Sequence, residues 1–306
     1  MRKRNDWLKL AAVIGGCILL IFMVFIMYGI SLLSKVNFEE LEEEEPFTTP
    51  EEIGIPEEAP KQEETKIVNI LLLGIDRQSP RERGRSDTII IASIDKGNKV
   101  VKLTSLMRDM YVPIPGRNNN RINAAYAFGG PSLAIKTVNQ NFNMNIKHYI
   151  ALDFWGFEEI VDLMGGVEVE LTAAESSIVG VRGAGSHLLN GYQALSYARI
   201  RRIGSDFQRT ERQRTILNEI FQSAMNTRMI DIPKLLKAGL PHMETNMSKL
   251  ELLRLGKDVL SFDSRGVEEY RLPVEKTYTH ERIRGMAVLV PDIEKNTKLL
   301  HEFIFN

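Results

Sequence analysis

Two aspartates and a nearby arginine are the first residues in this 306-residue chain whose types and spacing suit a chemical role. Asp76 ends one apolar run, and Asp87 begins the next. If these runs and a third form a meander, both carboxylates lie at the same end of the sheet. A turn centred near Lys96-Gly97 would place Leu106 opposite Asp87, with Arg108 two residues further along. We therefore expect two carboxylates and an arginine to converge on one sheet edge.

A second candidate group consists of arginines between residues 199 and 214, a stretch without lysine. A guanidinium binds phosphate oxygens in a bidentate manner, which an ammonium cannot do. The pattern therefore favours phosphate or carboxylate recognition. Asp206, Arg209 and Gln213 are spaced to share one helical face. A solvated helix face with internal ion pairs explains the same spacing equally well. The group contains Arg199, Arg201, Arg202, Arg209, Arg212 and Arg214.

Carboxylates beside arginines suggest phosphate chemistry. Aspartate oxygens suit Mg²⁺, which is commonly held by one or two carboxylates together with substrate phosphates. Arginines neutralise the charge that moves during phosphoryl transfer, and an aspartate can accept the proton of an attacking hydroxyl. The alternative is structural: Asp76 and Asp87 would cap strands, form turns or make ion pairs. Residue types alone leave both interpretations open.

Several other function classes lack their sequence signals. The chain has neither a P-loop nor a G-x-G-x-x-G motif, so nothing supports nucleotide binding. G-x-S-x-G and H-E-x-x-H are also absent, which argues against a serine hydrolase and a zinc hydrolase. Cys17 is the one cysteine, so no intrachain disulfide can form.

The pattern beyond residue 67 predicts a single α/β domain with a central mixed sheet flanked by helices. We interpret Phe154, Trp155 and Phe157 as packing residues of one helix. The predicted strands are Ile67–Ile75, Asp87–Ile94, Lys99–Leu106, Lys147–Leu152, Val167–Leu171, 267–272 and 286–290. The predicted helices are Ser132–Phe142, Phe154–Met164, Gly191–Tyr197, Asp206–Met225, 231–238, 248–260 and 291–304.

The first 66 residues predict a membrane anchor and a tether. Leu10–Leu33 is an uncharged run of 24 residues, and a helix of that length, roughly 36 Å, can span a bilayer core of about 30 Å. Basic residues precede it and an acidic segment follows, so residues 1–9 should be cytoplasmic and the domain at 67–306 extracellular. Residues 34–66 are rich in glutamate and proline, which predicts a disordered linker. A cleaved signal peptide is the competing interpretation.

Seven segments between residues 67 and 220 resemble the LytR-CpsA-Psr family. Their order and spacing make the resemblance specific, whereas residues 221–306 share only a general helical character with the family. The segments are NILLLGIDR (69–77), GRSDTIIIA (84–92), SLMRDMYVPIPG (105–116), RINAAYAFGG (121–130), VDLMGGVEV (161–169), LNGYQALSYARIR (189–201) and GSDFQRTERQR (204–214).

The resemblance implies a single-pass type II membrane enzyme. Such an enzyme transfers an anionic glycopolymer, such as wall teichoic acid, from an undecaprenyl-pyrophosphate carrier to peptidoglycan. The acceptor is the C6 hydroxyl of N-acetylmuramic acid, and the product is a phosphodiester. The prenyl chain enters an apolar pocket, which the sequence does not locate. The implied partners are the carrier-linked polymer, peptidoglycan and the membrane, without nucleic acid or nucleotide.

The resemblance also implies roles for individual residues. Asp76 and Asp87 match positions that coordinate Mg²⁺, or Mn²⁺ in its place. Together with Arg108, Arg201 and Arg209 they form the expected catalytic set. The expected pyrophosphate-binding set comprises Arg77, Arg85, Arg108, Arg199, Arg201, Arg209 and Gln213.

Two alternatives to the transferase remain at this point. The domain could be a membrane-anchored regulator that binds polymer or lipid phosphate without catalysis, or a prenyl-pyrophosphate hydrolase. Both aspartates are present, which favours catalysis because carboxylates hinder plain anion binding. A cytoplasmic tail of about nine residues is too short for a DNA-binding domain.

Overall fold

The structure, a computed structural model, describes residues 53–76, 84–200, 203, 208, 211–213, 215–216, 219–220, 243–260, 262 and 267–306. Its strands are β1 (Ile67–Asp76), β2 (Arg85–Asp95), β3 (Val100–Leu106), β4 (Tyr111–Val112), β5 (Asn120–Arg121), β6 (His148–Asp153), β7 (Val167–Leu171), β8 (Gly185–Leu189), β9 (Met243–Thr245), β10 (Val267–Leu272), β11 (Tyr278–Ile283) and β12 (Met286–Pro291). Its helices are α1 (Gln62–Thr65), α2 (Ala124–Phe142), α3 (Phe154–Leu163), α4 (Ala173–Val179), α5 (Gly191–Ala198), α6 (Lys249–Leu260) and α7 (Ile293–Phe305).

A six-stranded sheet forms the centre of the domain, in the order β10-β3-β2-β1-β6-β9. β1 pairs parallel with β6 and β3 parallel with β10, while the remaining neighbours are antiparallel. β1 and β2 are almost continuously apolar because both faces of the sheet are covered. Leu71 faces the core beneath α2 and α7, whereas Ile70 faces the core beneath α6. The predicted α/β fold with a mixed central sheet is confirmed.

The turn between β2 and β3 sets a register that differs from the prediction by two residues. Asp95 pairs with Val100, and Ile90 pairs with Ser105. The Asp95 carboxylate accepts hydrogen bonds from the backbone N–H groups of Gly97 (2.9 Å) and Asn98 (2.8 Å), which stabilises a longer turn. The prediction that Leu106 lies opposite Asp87 is therefore wrong. Continuing the observed register brings Arg108 level with Asp87.

Part of the predicted linker packs on the domain. Ile53 is buried in the core, and its carbonyl accepts a hydrogen bond from the Asn139 side chain at 3.0 Å. The Asn145 side chain donates to the carbonyl of Pro60, just before α1. Residues from Ile53 onward therefore pack on the domain, whereas the predicted domain boundary lies at residue 67.

A buried lysine ties the last helix of the chain to the sheet. Lys102 lies on β3 with 5% of its surface exposed, and its ammonium donates to the carbonyls of Phe303 (2.8 Å) and Ile304 (3.1 Å). These carbonyls belong to the last turn of α7, where they have no partner within the helix. The negative end of the helix dipole also favours a cation at this position.

A smaller lobe with its own core follows β6. It consists of α3, the β7–β8 hairpin, α4 and α5, with Val161, Val169 and Leu189 at its centre. Sequence analysis predicted β7, but β8 and its separate two-stranded sheet were missed. All three helices of this lobe have a side-chain N-cap, and α4 has a reciprocal capping box between Thr172 and Glu175.

Most of the predicted elements that fall on described residues are confirmed. The prediction missed five short or polar strands, and it started α2 eight residues late because Gly129 and Gly130 kink that helix. The missed strands are β4, β5, β8, β9 and β11. The predicted helix at 231–238, the tail at 1–9 and the membrane span at 10–33 lie outside the described residues. Within the described residues, no helix has both the length and the apolar character needed to cross a membrane.

A buried ion pair joins the arginine-rich segment to the small lobe. The Nε of Arg212 donates to Glu175 at 2.7 Å, and its two terminal nitrogens donate to the carbonyls of Ile200 and Ile203. Burial raises the pKa of Glu175, but the hydrogen bonds from Arg212 and Thr172 outweigh burial and hold that pKa below its usual value. Arg212 is therefore a structural residue, contrary to the phosphate-binding interpretation of all six arginines.

Replacing Arg212 with alanine should destabilise the domain by about 3–5 kcal/mol, because it leaves the Glu175 carboxylate buried without its partner. Urea unfolding at pH 7 measures this loss. The matched control is Arg182→Ala, an exposed arginine of the same lobe, for which we expect a change within about 0.5 kcal/mol.

The cost of Arg212→Ala should also depend on pH. The pKa of Glu175 is lowered by folding, so its contribution is complete above the unfolded value of 4.5 and is lost as the pH falls through the folded value. The difference in unfolding free energy between parent and variant should therefore shrink in acid. An equal difference at pH 7 and pH 3 would contradict this assignment.

Candidate functional site

A β-bulge places Asp87 at the sheet edge. Gly74 on β1 pairs with Thr88, but the next residue, Ile75, pairs with Ser86. Asp87 is thus the extra residue of β2, and Asp76 pairs with Arg85 beyond it. A bulge interrupts the alternation of side chains and redirects the extra residue. The predicted meeting of Asp76 and Asp87 at one edge is confirmed by this geometry.

A chain of ion pairs leads from Asp87 across the edge. The NH1 group of Arg108 donates to Asp87 at 2.9 Å, while its Nε lies 3.7 Å from the Asp109 carboxylate. Asp109 also lies 3.2 Å from the Nε of Arg121, whose NH2 group donates to the carbonyl of Ala287. These contacts fix the Arg108 guanidinium between two carboxylates and brace it against the β11–β12 hairpin.

Asp76 has its own arginine partner from the small lobe. The NH2 group of Arg199 lies 3.6 Å from the Asp76 carboxylate. The Arg199 guanidinium also lies over the ring of Phe154, 4.5 Å from its centroid. Cation–π contact of this kind holds a guanidinium in place without using its hydrogen-bond donors. Arg199, close to half exposed, can therefore present donors to a ligand at the edge.

An apolar cavity of about 210 Å³ opens at this edge, between the sheet and helices α3 and α5. Gly74 forms part of its wall, and a side chain at that position would come within 2.9 Å of the Thr88 Cβ. The polar residues in the lining are Asp87, Thr88, Asp153, Arg199 and Gln213. Its apolar lining is formed by Leu72, Leu73, Ile90, Ile150, Leu152, Phe154, Phe157, Leu195, Ala198 and Ile216.

Asp153 is a further carboxylate at the same end of the sheet, and sequence analysis missed it. It is the last residue of β6 and pairs with Ile75, next to Asp76. Its side chain is the N-cap of α3 and accepts a hydrogen bond from the Gly156 N–H at 3.0 Å. The sequence signal for Asp153 was its place as the polar last residue of β6, a strand in which buried and partly exposed residues alternate. Its capping role makes Asp153 a residue that positions α3 beside the cavity.

The other predicted site residues are distributed unevenly. Arg85 is exposed at the start of β2, next to Asp76 in the ladder, and Gln213 lines the cavity. Phe154 and Phe157 line the cavity too, while Trp155 is 45% exposed, so the packing interpretation of Trp155 is wrong. Arg77, Arg201 and Arg209 lie outside the described residues.

The edge thus combines an apolar cavity with anionic and cationic side chains at one side. Across the described ranges, no group of three or more acidic, histidine or cysteine side chains is arranged to hold a metal ion by itself. An apolar cavity whose rim carries both carboxylates and a guanidinium can chemically accommodate an amphiphilic molecule with a charged head.

Comparison with known proteins identifies the family of this chain. The LytR_cpsA_psr family model matches residues 26–303, and the chain belongs to that family. The resemblance stated from the sequence is thereby confirmed.

Two curated relatives carry different names. Regulatory protein MsrR of Staphylococcus aureus (strain COL) is 34% identical over 240 residues, covering 75% of this chain and 71% of the relative. The polyisoprenyl-teichoic acid–peptidoglycan teichoic acid transferase TagU of Enterococcus faecalis is 33% identical over 261 residues, covering 83% and 84% of the two chains.

The fold is shared with solved structures of TagT. TagT bound to LI-WTA has a TM-score of 0.67 and 24% identity, and the alignment covers 81% of this chain and 94% of that one. A TagT structure with bound octaprenyl pyrophosphate lipid has a TM-score of 0.62 and 24% identity, with coverage of 78% and 90%.

Proposed function

We propose that this protein transfers an anionic glycopolymer, wall teichoic acid or a similar polymer, from an undecaprenyl-pyrophosphate carrier to peptidoglycan. The C6 oxygen of N-acetylmuramic acid attacks the phosphorus that bears the polymer and loses its proton. The bond from that phosphorus to the bridging oxygen breaks, and undecaprenyl phosphate leaves. The product is a phosphodiester between polymer and peptidoglycan.

The observation that carries this proposal is the joining of an apolar cavity to a charged edge. A prenyl chain suits the lining of Leu72, Ile90 and Ile150, and a pyrophosphate suits the rim that contains Asp87 and Arg199. The name of TagU and the lipid in the TagT structure support the same substrate class. Burying several isoprene units would supply binding energy that every polymer-loaded carrier shares.

A divalent cation fits the donor set of this edge. Asp76 and Asp87 offer hard carboxylate oxygens on adjacent strands, and Mg²⁺ commonly binds one or two carboxylates together with phosphate oxygens. Each carboxylate already lies beside an arginine, so a cation and pyrophosphate would join a charged network. We propose Mg²⁺, or Mn²⁺ in its place, which when bound neutralises pyrophosphate charge.

The arginines supply the remaining positive charge. Arg108 is held between Asp87 and Asp109, and Arg199 is held by Asp76 and Phe154, so both guanidiniums are positioned before substrate arrives. Preorganised charge of this kind stabilises a transition state without reorganisation during the reaction. On the basis of the family resemblance, we propose four further arginines as phosphate contacts: Arg77, Arg85, Arg201 and Arg209.

The competing function is that of a regulatory binding protein, and the name of the relative MsrR supports it. Such a protein would bind carrier lipid but would not turn it over. A hydrolase would release polymer into water in the absence of peptidoglycan. One reaction mixture containing the full chain, polymer-linked prenyl pyrophosphate and peptidoglycan separates all three outcomes.

Replacing Asp87 with asparagine should reduce polymer transfer by about 10²-fold or more, because it removes a charged metal ligand while keeping the side chain's shape. Carrier binding through the cavity should be largely retained. Transfer rates and Mn²⁺ binding in the presence of prenyl pyrophosphate are the measurements. The control is Asp258→Asn, which removes a surface partner of Lys96 away from the edge. Transfer by Asp87→Asn at the parent rate would contradict the metal assignment.

Replacing Leu152 with tryptophan should weaken binding of a prenyl pyrophosphate at least about tenfold, since the larger ring occupies the apolar cavity. Leu163→Trp makes the same change at a position that is 48% exposed and outside the cavity, and it should bind normally. Calorimetric titration with geranylgeranyl pyrophosphate compares the two. Equal affinities would show that the prenyl chain binds elsewhere.

We also propose that residues 10–33 anchor the chain in the cell membrane, with the domain extracellular. The support is the uncharged run with basic residues before it and acidic residues after it. This orientation would place the domain on the side of the membrane where peptidoglycan lies.

A membrane-impermeant maleimide should label Lys298→Cys in intact cells, when Cys17 is replaced by serine so that no other thiol is present. Lys298 lies on the exposed side of α7. Asn5→Cys in the same background should be labelled after lysis only. Labelling of Asn5→Cys alone in intact cells would reverse the proposed orientation.

A further inference from the structure

A second cavity, of about 460 Å³, is also lined by Arg199. It lies between α3, α4 and α5, and its lining includes Glu158, Ile178, Tyr192 and Ser196. The lining mixes a carboxylate, hydroxyls and an aromatic ring with aliphatic groups. Cavities of about 300–1,000 Å³ with a few placed polar groups are typical small-ligand sites.

Close packing of two helices forms this cavity. A side chain on Gly191 would come within 2.2 Å of the Glu158 carbonyl, so only glycine allows α5 to start against α3. The Gly191 N–H also donates to Asp162 of α3 at 2.7 Å. From that start, Tyr192, Ser196 and Arg199 recur at intervals of four and three residues along one side of α5. The cavity therefore has a fixed floor and a set of side chains pointing from one helix.

The side chains at this cavity are available to a ligand. Tyr192 is 68% exposed, the largest exposure among the big apolar side chains of the described residues. Within that same part of the chain, the side chains of Glu158, Tyr192 and Ser196 make no hydrogen bond or ion pair. A tyrosine ring supplies rigid amphipathic contact area at a low cost in conformational entropy. An exposed ring beside unengaged oxygens suits a pyranose, which has an apolar ring face and hydroxyls at its edge.

The position of the cavity connects it to the charged edge. Arg199 lines both cavities and also contacts Asp76. A ligand in the second cavity would thus lie across one guanidinium from the rim where the pyrophosphate is proposed to bind. Leu195 likewise lines both cavities, so the two spaces share a wall on α5.

We propose that this second cavity is the acceptor subsite, where an N-acetylhexosamine unit of the peptidoglycan glycan strand stacks on Tyr192 and donates hydrogen bonds to Glu158. The proposal rests on the proposed transferase function and adds the location of the acceptor to it. Glu158 accepts hydrogen bonds from sugar hydroxyl or amide groups, and Tyr192 packs against the apolar face of the ring. The acceptor hydroxyl then approaches the pyrophosphate from the side of Arg199.

A lipid surface is the other partner that exposed aromatic residues suggest. The cavity is concave, and its lining contains one carboxylate, Glu158, and one guanidinium, Arg199, so it has no excess positive charge to attract anionic headgroups. A flat lipid surface also cannot reach the hydroxyl of Ser196 inside the cavity. The observations therefore favour a sugar.

Titration of the full chain with a peptide-free N-acetylglucosamine–N-acetylmuramic acid tetrasaccharide, with and without geranylgeranyl pyrophosphate, tests the subsite directly. Tyr192→Ala and Glu158→Gln should each weaken binding at least about tenfold. Tyr192→Phe, which keeps the ring, should bind as the parent does. Phe128→Ala is the matched control, an aromatic residue that is 41% exposed and outside both cavities. Prenyl pyrophosphate affinity should stay unchanged in Tyr192→Ala.

Transfer kinetics provide a second readout. Tyr192→Ala should raise the KM for the glycan acceptor at least about tenfold with a smaller effect on kcat. Failure of the parent to bind the tetrasaccharide under either condition, or equal binding by Tyr192→Ala and Phe128→Ala, would overturn the subsite. Loss of binding to phosphatidylglycerol vesicles in Tyr192→Ala, with sugar binding unchanged, would overturn it in favour of a membrane contact. Sugar binding without any transfer would retain the subsite and reject the transferase.

Discussion

The ion pair between Asp87 and Arg108 connects the parts of the domain that form the charged edge. Asp87 reaches this position through the bulge in β2, and Arg108 follows the end of β3. Asp109 and Arg121 extend the pairing to the carbonyl of Ala287 in the β11–β12 hairpin. Largely buried charges need partners, because an unpaired one costs several kcal/mol. The local folds of three distant segments are therefore interdependent, and a phosphorylated ligand would enter a network that is already rigid.

The central sheet could be predicted from the sequence because burial on both faces produces apolar runs that are easy to recognise. The hairpin register was not, since it depends on hydrogen bonds from two backbone N–H groups to the side chain of Asp95. In the β7–β8 hairpin, β7 was predicted but β8 was not, because Ser186 and His187 give β8 little strand character. Packing of residues 53–66 was hidden for a similar reason. Their composition resembles a linker, while contacts such as Asn139 to Ile53 come from a distant helix.

Prediction of the site succeeded where strand order determines position and failed where packing does. Asp76 and Asp87 had to share an edge in any three-stranded meander. Residue type could not separate Arg212, which is buried against Glu175, from Arg199, which remains near the edge. The cavity is space that neighbouring side chains leave unfilled, and no local pattern encodes such a space. The family match covers residues 26–303, but the roles of single residues still rest on their contacts.

The contact between Lys102 and the last turn of α7 has a consequence for the order of folding. Lys102 and Phe303 are separated by 201 residues, so the ammonium gains its acceptors only when the end of the chain is present. Until then, burying Lys102 would desolvate a charge without compensation. Burial of Lys102 with both of its acceptors therefore requires that residues 303 and 304 have been synthesised. If the domain crosses a membrane, as the proposed orientation requires, this contact can form only after α7 has also crossed.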